Sequence, residues 1–286
     1  MARPNLQPPP ETEWCDVGRQ AVPFVQYPAS RRPNGESVAL LHGIGMPPTH
    51  WGELPVTLAA MGYDVTAIGV ANHNWQNGLP TMDRYAAATG AAIDSLIGRP
   101  AHIVGVSWGG LLAQQVALDY PDKVRKLVAA ATYPAVPLPF LRLPNFRTML
   151  TVTLPWQSPA TNDRIFGADA VHNRAAVNRC AHLFDHPIDA ANHASQQTAL
   201  LAIAPLLWRA AAGGFFGRNH HSETTFMYSN DDPLVPDINV EIGASLLGAA
   251  THKVDGGGHV FLLSRPQESA ETIASILSSP ILSAAA

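Results

Sequence analysis

Cysteine is nearly absent from this chain of 286 residues, which has two, Cys15 and Cys180, in unrelated contexts. Two distant thiols make neither a disulfide framework nor a zinc-ligand spacing, so they are read as free thiols of a reducing compartment. Charged residues are scarce too, at 14%, and the formal net charge is −4. That balance argues against nucleic acid or an anionic membrane as a main partner. Long apolar runs are missing. The stretches 127–143 and 198–216 are interrupted by Pro134, Pro137 and Pro139, and by Pro205 and Arg209, so neither reads as a membrane span. The opening MARPNLQPPPETEW has a basic residue but no apolar segment of a signal peptide. The expectation is a cytoplasmic protein. What the chain does have is apolar content, 47%, enough for a sizeable core.

Taken in order, the proline-rich residues 1–12 read as a mobile tail. Trp14–Arg19 and Ala21–Tyr27 read as an opening antiparallel hairpin, followed by a turn at Arg31–Gly35. From there strands and helices alternate. Strands are expected at 37–41, 64–68, 102–106 and 126–132, with helices at 51–61, 82–97 and 111–119. The rhythm is lost from Tyr133 to Phe216, where prolines crowd 134–159 and helical pieces follow at 169–184 and 189–211. It resumes with strands at 224–228 and 251–254 and helices at 238–247 and 266–277. The fold class expected is α/β, a mostly parallel twisted sheet covered by helices on both faces. Residues 13–132 and 217–286 form its core, and residues 133–216 are an insertion after the sixth strand, read as a helical cap.

The most informative stretch is Ala101–Gln115. A short apolar strand runs into Gly105-Val-Ser107-Trp-Gly109, and an apolar helix follows at once. A G-x-S-x-G pattern has chemical meaning in this strand-to-helix context. On so sharp a turn a Cβ at either flanking position would collide with the neighbouring strand or helix. The turn also sets the serine hydroxyl at a helix N-terminus, where free N–H groups favour a developing anion. Ser107 is the candidate nucleophile.

In an open α/β sheet the site lies beyond the carboxyl ends of the strands. Four loops leave from such ends. His42-Gly-Ile-Gly45 can offer the Ile44 N–H to an oxyanion, and the elbow offers that of Trp108. Ser229–Pro236 holds two acids, Asp231 and Asp232. Asp255-Gly-Gly-Gly-His259 ends in a histidine that three glycines allow to approach closely. A serine hydroxyl needs an imidazole to take its proton, and the imidazole needs a carboxylate to hold its tautomer. Either acid could serve, and either could simply shape the turn before Pro233.

Together these residues resemble the α/β-hydrolase superfamily across the chain beyond its first dozen residues. GVSWGGLLAQQVALDYP at 105–121, KLVAAAT at 126–132, DDPLVP at 231–236 and GGGHVFLLSRP at 256–266 look like the intracellular medium-chain poly(3-hydroxyalkanoate) depolymerases. The resemblance implies a Ser107, Asp232, His259 triad with Asp231 as a turn or surface carboxylate. It also implies cofactor-free hydrolysis of a small-molecule or polymeric ester through an acyl-serine, with 3-hydroxyacyl esters as the substrate class. A small-molecule carboxylesterase or thioesterase would use the same chemistry. A lyase, an isomerase or a ligand-binding protein on the same fold is the alternative of another kind.

One loop departs from the pattern. Such hydrolases usually carry a small-residue Asp-x-x-Gly-x-Gly-x-Ser loop after the strand at 64–68, whereas this chain has the polar and aromatic run 69–77. His73, Asn74 and Trp75 there, and the Trp108 ring, are candidates for substrate contact. His42 reads as a structural hydrogen-bonding residue, and His220-His221 lacks a third metal ligand. The apolar side chains Phe140, Leu141, Leu206, Leu207, Phe215 and Phe216 suit either a core or an alkyl-chain cleft.

Overall fold

Alternation along the strands determines where the helices dock. The computed structural model describes residues 11–17, 20–44, 46–69, 81–136, 165–181 and 223–280. His73, Asn74, Trp75, His220, His221 and the six apolar cap side chains named above lie outside the described residues, as does the tail to residue 10.

The chain opens with β1 (Glu13–Val17) and β2 (Gln20–Tyr27), an antiparallel pair. It continues with β3 (Ser37–Leu41), α1 (Leu54–Ala60), β4 (Asp64–Ile68), α2 (Met82–Leu96), β5 (Ala101–Val106), α3 (Trp108–Asp119) and β6 (Val124–Ala130). Next come α4 (Asp169–His172) and α5 (Arg174–Ala181), then β7 (Glu223–Ser229), α6 (Asp237–Leu247), β8 (Ala250–Val254), α7 (Phe261–Ser264) and α8 (Pro266–Ser278). The eight strands form one sheet in the order β1-β2-β4-β3-β5-β6-β7-β8. Strands β3 to β8 run parallel, and β2 joins them antiparallel through β4.

On β3, Val38 and Leu40 face one way and Ala39 and Leu41 the other, as the period of two requires. On β5, Val104 and Val106 join the first face and Ile103 the second. The first face packs Leu54 and Leu58 of α1, Phe261 of α7 and Ile273 of α8. The second packs Tyr85 and Ile93 of α2 and Leu112 and Val116 of α3. Both faces are thus covered, which explains why β3 and β5 are buried throughout and largely apolar. Phe261 is fully buried, so Phe261→Ala should lower stability by about 3–5 kcal/mol. The check is the urea midpoint, and an unchanged midpoint would contradict this packing.

Several element boundaries differ from the sequence expectation, and three have a clear local cause. Helix α1 starts at Leu54 rather than Trp51, because Pro55 lacks an N–H and sits in the first turn, and Trp51 is buried in the turn before it. The helix expected over 169–184 is broken at Asn173 (φ −137°, ψ 62°), whose side chain accepts the Ala176 N–H at 3.2 Å and starts α5. Strand β6 ends at Ala130, since Ala131 (φ 47°) turns the chain out of the sheet. Of residues 133–216, those at 133–136 and 165–181 are described. Ile165, Phe166 and Val177 pack into the first-face core with Val260 and Leu262.

Candidate functional site

The turn between β5 and α3 is held in a costly conformation. Ser107 has φ 55° and ψ −120°, a region that non-glycine residues rarely enter. Its N–H donates to the Ala130 carbonyl at 2.9 Å, and its carbonyl accepts the Thr132 hydroxyl at 2.7 Å. The glycines are steric necessities. A Cβ on Gly109 would overlap the Leu41 carbonyl, and one on Gly105 would overlap the Gly109 carbonyl.

The imidazole of His259 lies across the hydroxyl of Ser107, with Nε2 to Oγ at 3.0 Å. Its other nitrogen, Nδ1, is 2.9 Å from Asp232 Oδ2 and 3.1 Å from Oδ1. Both Asp232 and His259 are buried. With Nδ1–H donating to the carboxylate, Nε2 is left as the acceptor facing the Ser107 hydroxyl. Asp232 Oδ1 also accepts the N–H groups of Leu234 and Val235, at 2.8 and 3.0 Å. The turn-forming acid and the imidazole-facing acid are therefore one residue. Tyr133 braces the same turn by donating its hydroxyl to the Leu234 carbonyl at 2.7 Å. Burial, with the Asp232 charge, pushes the Tyr133 phenol well up, so it remains a donor.

The turn after β3 packs directly over the serine. A Cβ on Gly43 would stand 3.2 Å from the Ser107 Cβ and 3.8 Å from its Oγ. Ile44, next in the chain, is half-buried. Trp108 is buried with its ring edge-on to Tyr85, centroids 4.9 Å apart, in the core between α2 and α3. His42 is buried, and its Nδ1 bonds the Gly43 carbonyl at 2.8 Å. Among the described residues no group of three or more His, Cys, Asp or Glu side chains could hold a metal ion. No helix there is long and apolar enough to cross a membrane.

Asp231 lies in the turn after β7, half-buried, and does more than shape it. Its carboxylate receives N–H groups from two other segments, at Gly258 and Ala168. Asp169 and Arg265 form a second tie, missed in the sequence, through Nε–Oδ2 and Nη2–Oδ1 contacts of 3.0 and 2.6 Å. Arg265 also donates to the Asp255 carbonyl at 2.6 Å. Each tie spans far-separated segments, so no local spacing announces it. The tandem acids at 231–232 were the one available signal.

Buried histidines make the fold acid-sensitive. Desolvation lowers His42 from 6.5 to about 4, with the charge of His50 acting in the same direction. His102, at the start of β5, is also lowered to about 4 by desolvation, which outweighs its Glu36 partner at 3.4 Å. The unfolded chain then binds more protons than the folded one between pH 6.5 and 4. Stability is expected to fall as pH drops through that window, by on the order of 3 kcal/mol per histidine. Urea titrations across this window should show it, and His102→Gln should flatten the slope by about one proton.

Comparison with known proteins adds four likenesses. Residues 38–272 match the model described as the alpha/beta hydrolase family. The chain is 31% identical over 198 residues to a poly(3-hydroxyalkanoate) depolymerase of Ectopseudomonas oleovorans, covering 67% of this chain and 64% of that one. It is 34% identical over 102 residues to a 2-hydroxy-6-oxononadienedioate/2-hydroxy-6-oxononatrienedioate hydrolase of a Pseudomonas species, covering 33% and 36%. It thus spans less than two thirds of the length of either relative. The enol-lactonase from Burkholderia xenovorans LB400 superposes with a TM-score of 0.69 at 17% identity, covering 93% of this chain and 100% of that one.

Proposed function

This chain belongs to the alpha/beta hydrolase family, and from that premise we propose that it hydrolyses carboxylic esters through an acyl-serine intermediate. One observation carries the reading: His259 bridges the Ser107 hydroxyl and the Asp232 carboxylate at 3.0 and 2.9 Å. Those distances suit proton transfer.

In the first half-reaction His259 Nε2 takes the Ser107 proton as Oγ attacks the ester carbonyl. The resulting oxyanion points toward the N–H groups of Ile44 and Trp108. Donors of this kind are each worth about 2.7–4 kcal/mol in the transition state. Asp232 stabilises the imidazolium, which then returns the proton to the departing alcohol as the ester C–O bond breaks. Water, losing a proton to His259, attacks the acyl-serine, and Ser107 regains its proton as the carboxylic acid leaves. No cofactor takes part.

Likeness to the depolymerase supports 3-hydroxyacyl esters, including polyhydroxyalkanoate oligomers, as the substrate class. The cap over residues 133–216, with Phe140, Leu141, Phe215 and Phe216, would supply the apolar surface for their alkyl chains. His73 and Trp75 would lie among the substrate contacts. The test compares p-nitrophenyl esters from acetate to dodecanoate with the matching thioesters and with 3-hydroxyoctanoate oligomers. A maximum at medium chain length and release of 3-hydroxy acid is the expected result. Preference for acetate or for thioesters would move the substrate to the small-molecule esterase or thioesterase class. Inertness toward every ester, with no labelling by a fluorophosphonate, would overturn the reaction itself.

A further inference from the structure

The loop that carries His259 should be hard to hold still. Gly256, Gly257 and Gly258 have φ values of 78°, 87° and 59°, three consecutive residues in the left-handed region. Glycine alone occupies such a run without strain, and glycine also has the most conformational freedom to lose. An imidazole so mounted has to stay within about half an ångström of its working position. The hydrogen bond to Asp232 holds the ring of His259, but something else must hold its backbone.

The backbone tie is Asp231. Its Oδ1 accepts the N–H of Gly258, the residue directly before His259, at 2.9 Å. The Ser229 hydroxyl, fully buried, reaches the same oxygen at 2.5 Å and the Gly256 carbonyl at 2.9 Å. Oδ2 accepts the Ala168 N–H at 2.5 Å. Two neighbouring acids thus divide the work, Asp232 holding the imidazole and Asp231 the peptide that carries it. The fit is close on every side. A Cβ on Gly258 would overlap the Ile165 carbonyl, and one on Gly167 would overlap the Asp231 carboxylate.

We infer that Asp231 is a positioning residue for His259, and that through Ala168 it also seats the 165–169 segment against the base. This rests on the reading of Ser107, Asp232 and His259 as a catalytic triad. An amide at 231 keeps the shape but turns an NH2 group toward a backbone N–H that needs an acceptor. The imidazole would then sample positions away from Ser107, and a shift of about 1 Å can cost 100-fold in rate.

The experiment compares wild type with Asp231→Asn and Ser229→Ala, all rates being normalised to sites titrated with a fluorophosphonate. Asp231→Asn is expected to lower kcat about 10- to 100-fold with KM little changed. The low-field proton resonance of the His259 Nδ1–H should broaden or vanish, a readout that needs no substrate. Ser229→Ala removes one contact to the same oxygen and should show the same signature more weakly, which covers the case of an asparagine variant that does not fold. Normal kcat per titrated site and a retained resonance in both variants would overturn the inference, whatever happens to Tm. A wild type that neither labels nor turns over an ester would instead count against the triad reading, and a resonance lost in the Asp231 variant would still support the tie.

Discussion

Ser107→Ala is expected to reduce kcat on a p-nitrophenyl ester by about a millionfold. The size follows from how the parts depend on one another. Without Oγ there is no acyl intermediate, so the proton transfer by His259 and the support from Asp232 act on nothing. What survives is binding and the oxyanion donors, together worth roughly 10³–10⁴ over water. The change should be nearly silent in stability, because alanine at φ 55° carries the same backbone strain as serine. The bracing bonds at this turn use the main chain of residue 107, its N–H to Ala130 and its carbonyl to Thr132. Activity and intact-mass labelling by a fluorophosphonate should vanish together while the thermal midpoint stays close to wild type. A variant that still turns over at the wild-type rate would sink the acyl-serine mechanism.

Gly109→Ala should have the opposite character, a large loss of stability from one added methyl group. Its Cβ would overlap the main-chain oxygen of Leu41 and lie 2.6 Å from that of His42. The first ends the central strand β3 and the second follows it directly, so neither can give way without disturbing the sheet. Overpacking of this kind costs about 3 kcal/mol or more. Each kcal/mol moves Tm by about 2–4 °C in a domain of such size, so a drop of roughly 10 °C is expected. Gly35→Ala is the internal control. It has nothing within 4 Å of the added Cβ and only its φ of 80° against it, so it should cost about 1 kcal/mol. If the two variants melt together, the close approach of α3 to β3 is not what holds the elbow.

The elbow was legible because its three requirements are local: an apolar strand, a glycine-flanked turn and an apolar helix lie within fifteen residues. The order of the candidate residues Ser107, Asp232 and His259 was legible for a related reason, since each ends or follows a strand whose pattern can be read. Sheet order was less so. Nothing local states that β4 lies outside β3, because both are short apolar strands and pairing is decided by the crossover of α1. The break at Asn173 was hidden by apolar spacing that continues on both sides of it. The share of Asp231 in the site was hidden by distance, with partners at 168 and 258 that only the assembled fold brings to it. Helix α3 shows the limit of pattern reading, since it is buried on nearly every side and has little amphipathic contrast to detect. His73 and Trp75 lie outside the described residues, and their role belongs to the proposed reading alone.

The wide separation of the proposed catalytic groups has a consequence for how the protein is made. Ser107 and His259 stand 152 residues apart in the chain, and the ribosome delivers about 5–20 residues per second from the N-terminus. The serine therefore emerges about 8–30 s before its base. Its turn leans on β6, and β6 pairs with β7, which is translated after the whole insertion. On the proposed reading, a nascent chain carries an inert alcohol among the esters and thioesters of the cell. Reactivity is withheld until the last strands close the sheet, so synthesis itself supplies a delay that other hydrolases obtain from a removable pro-segment.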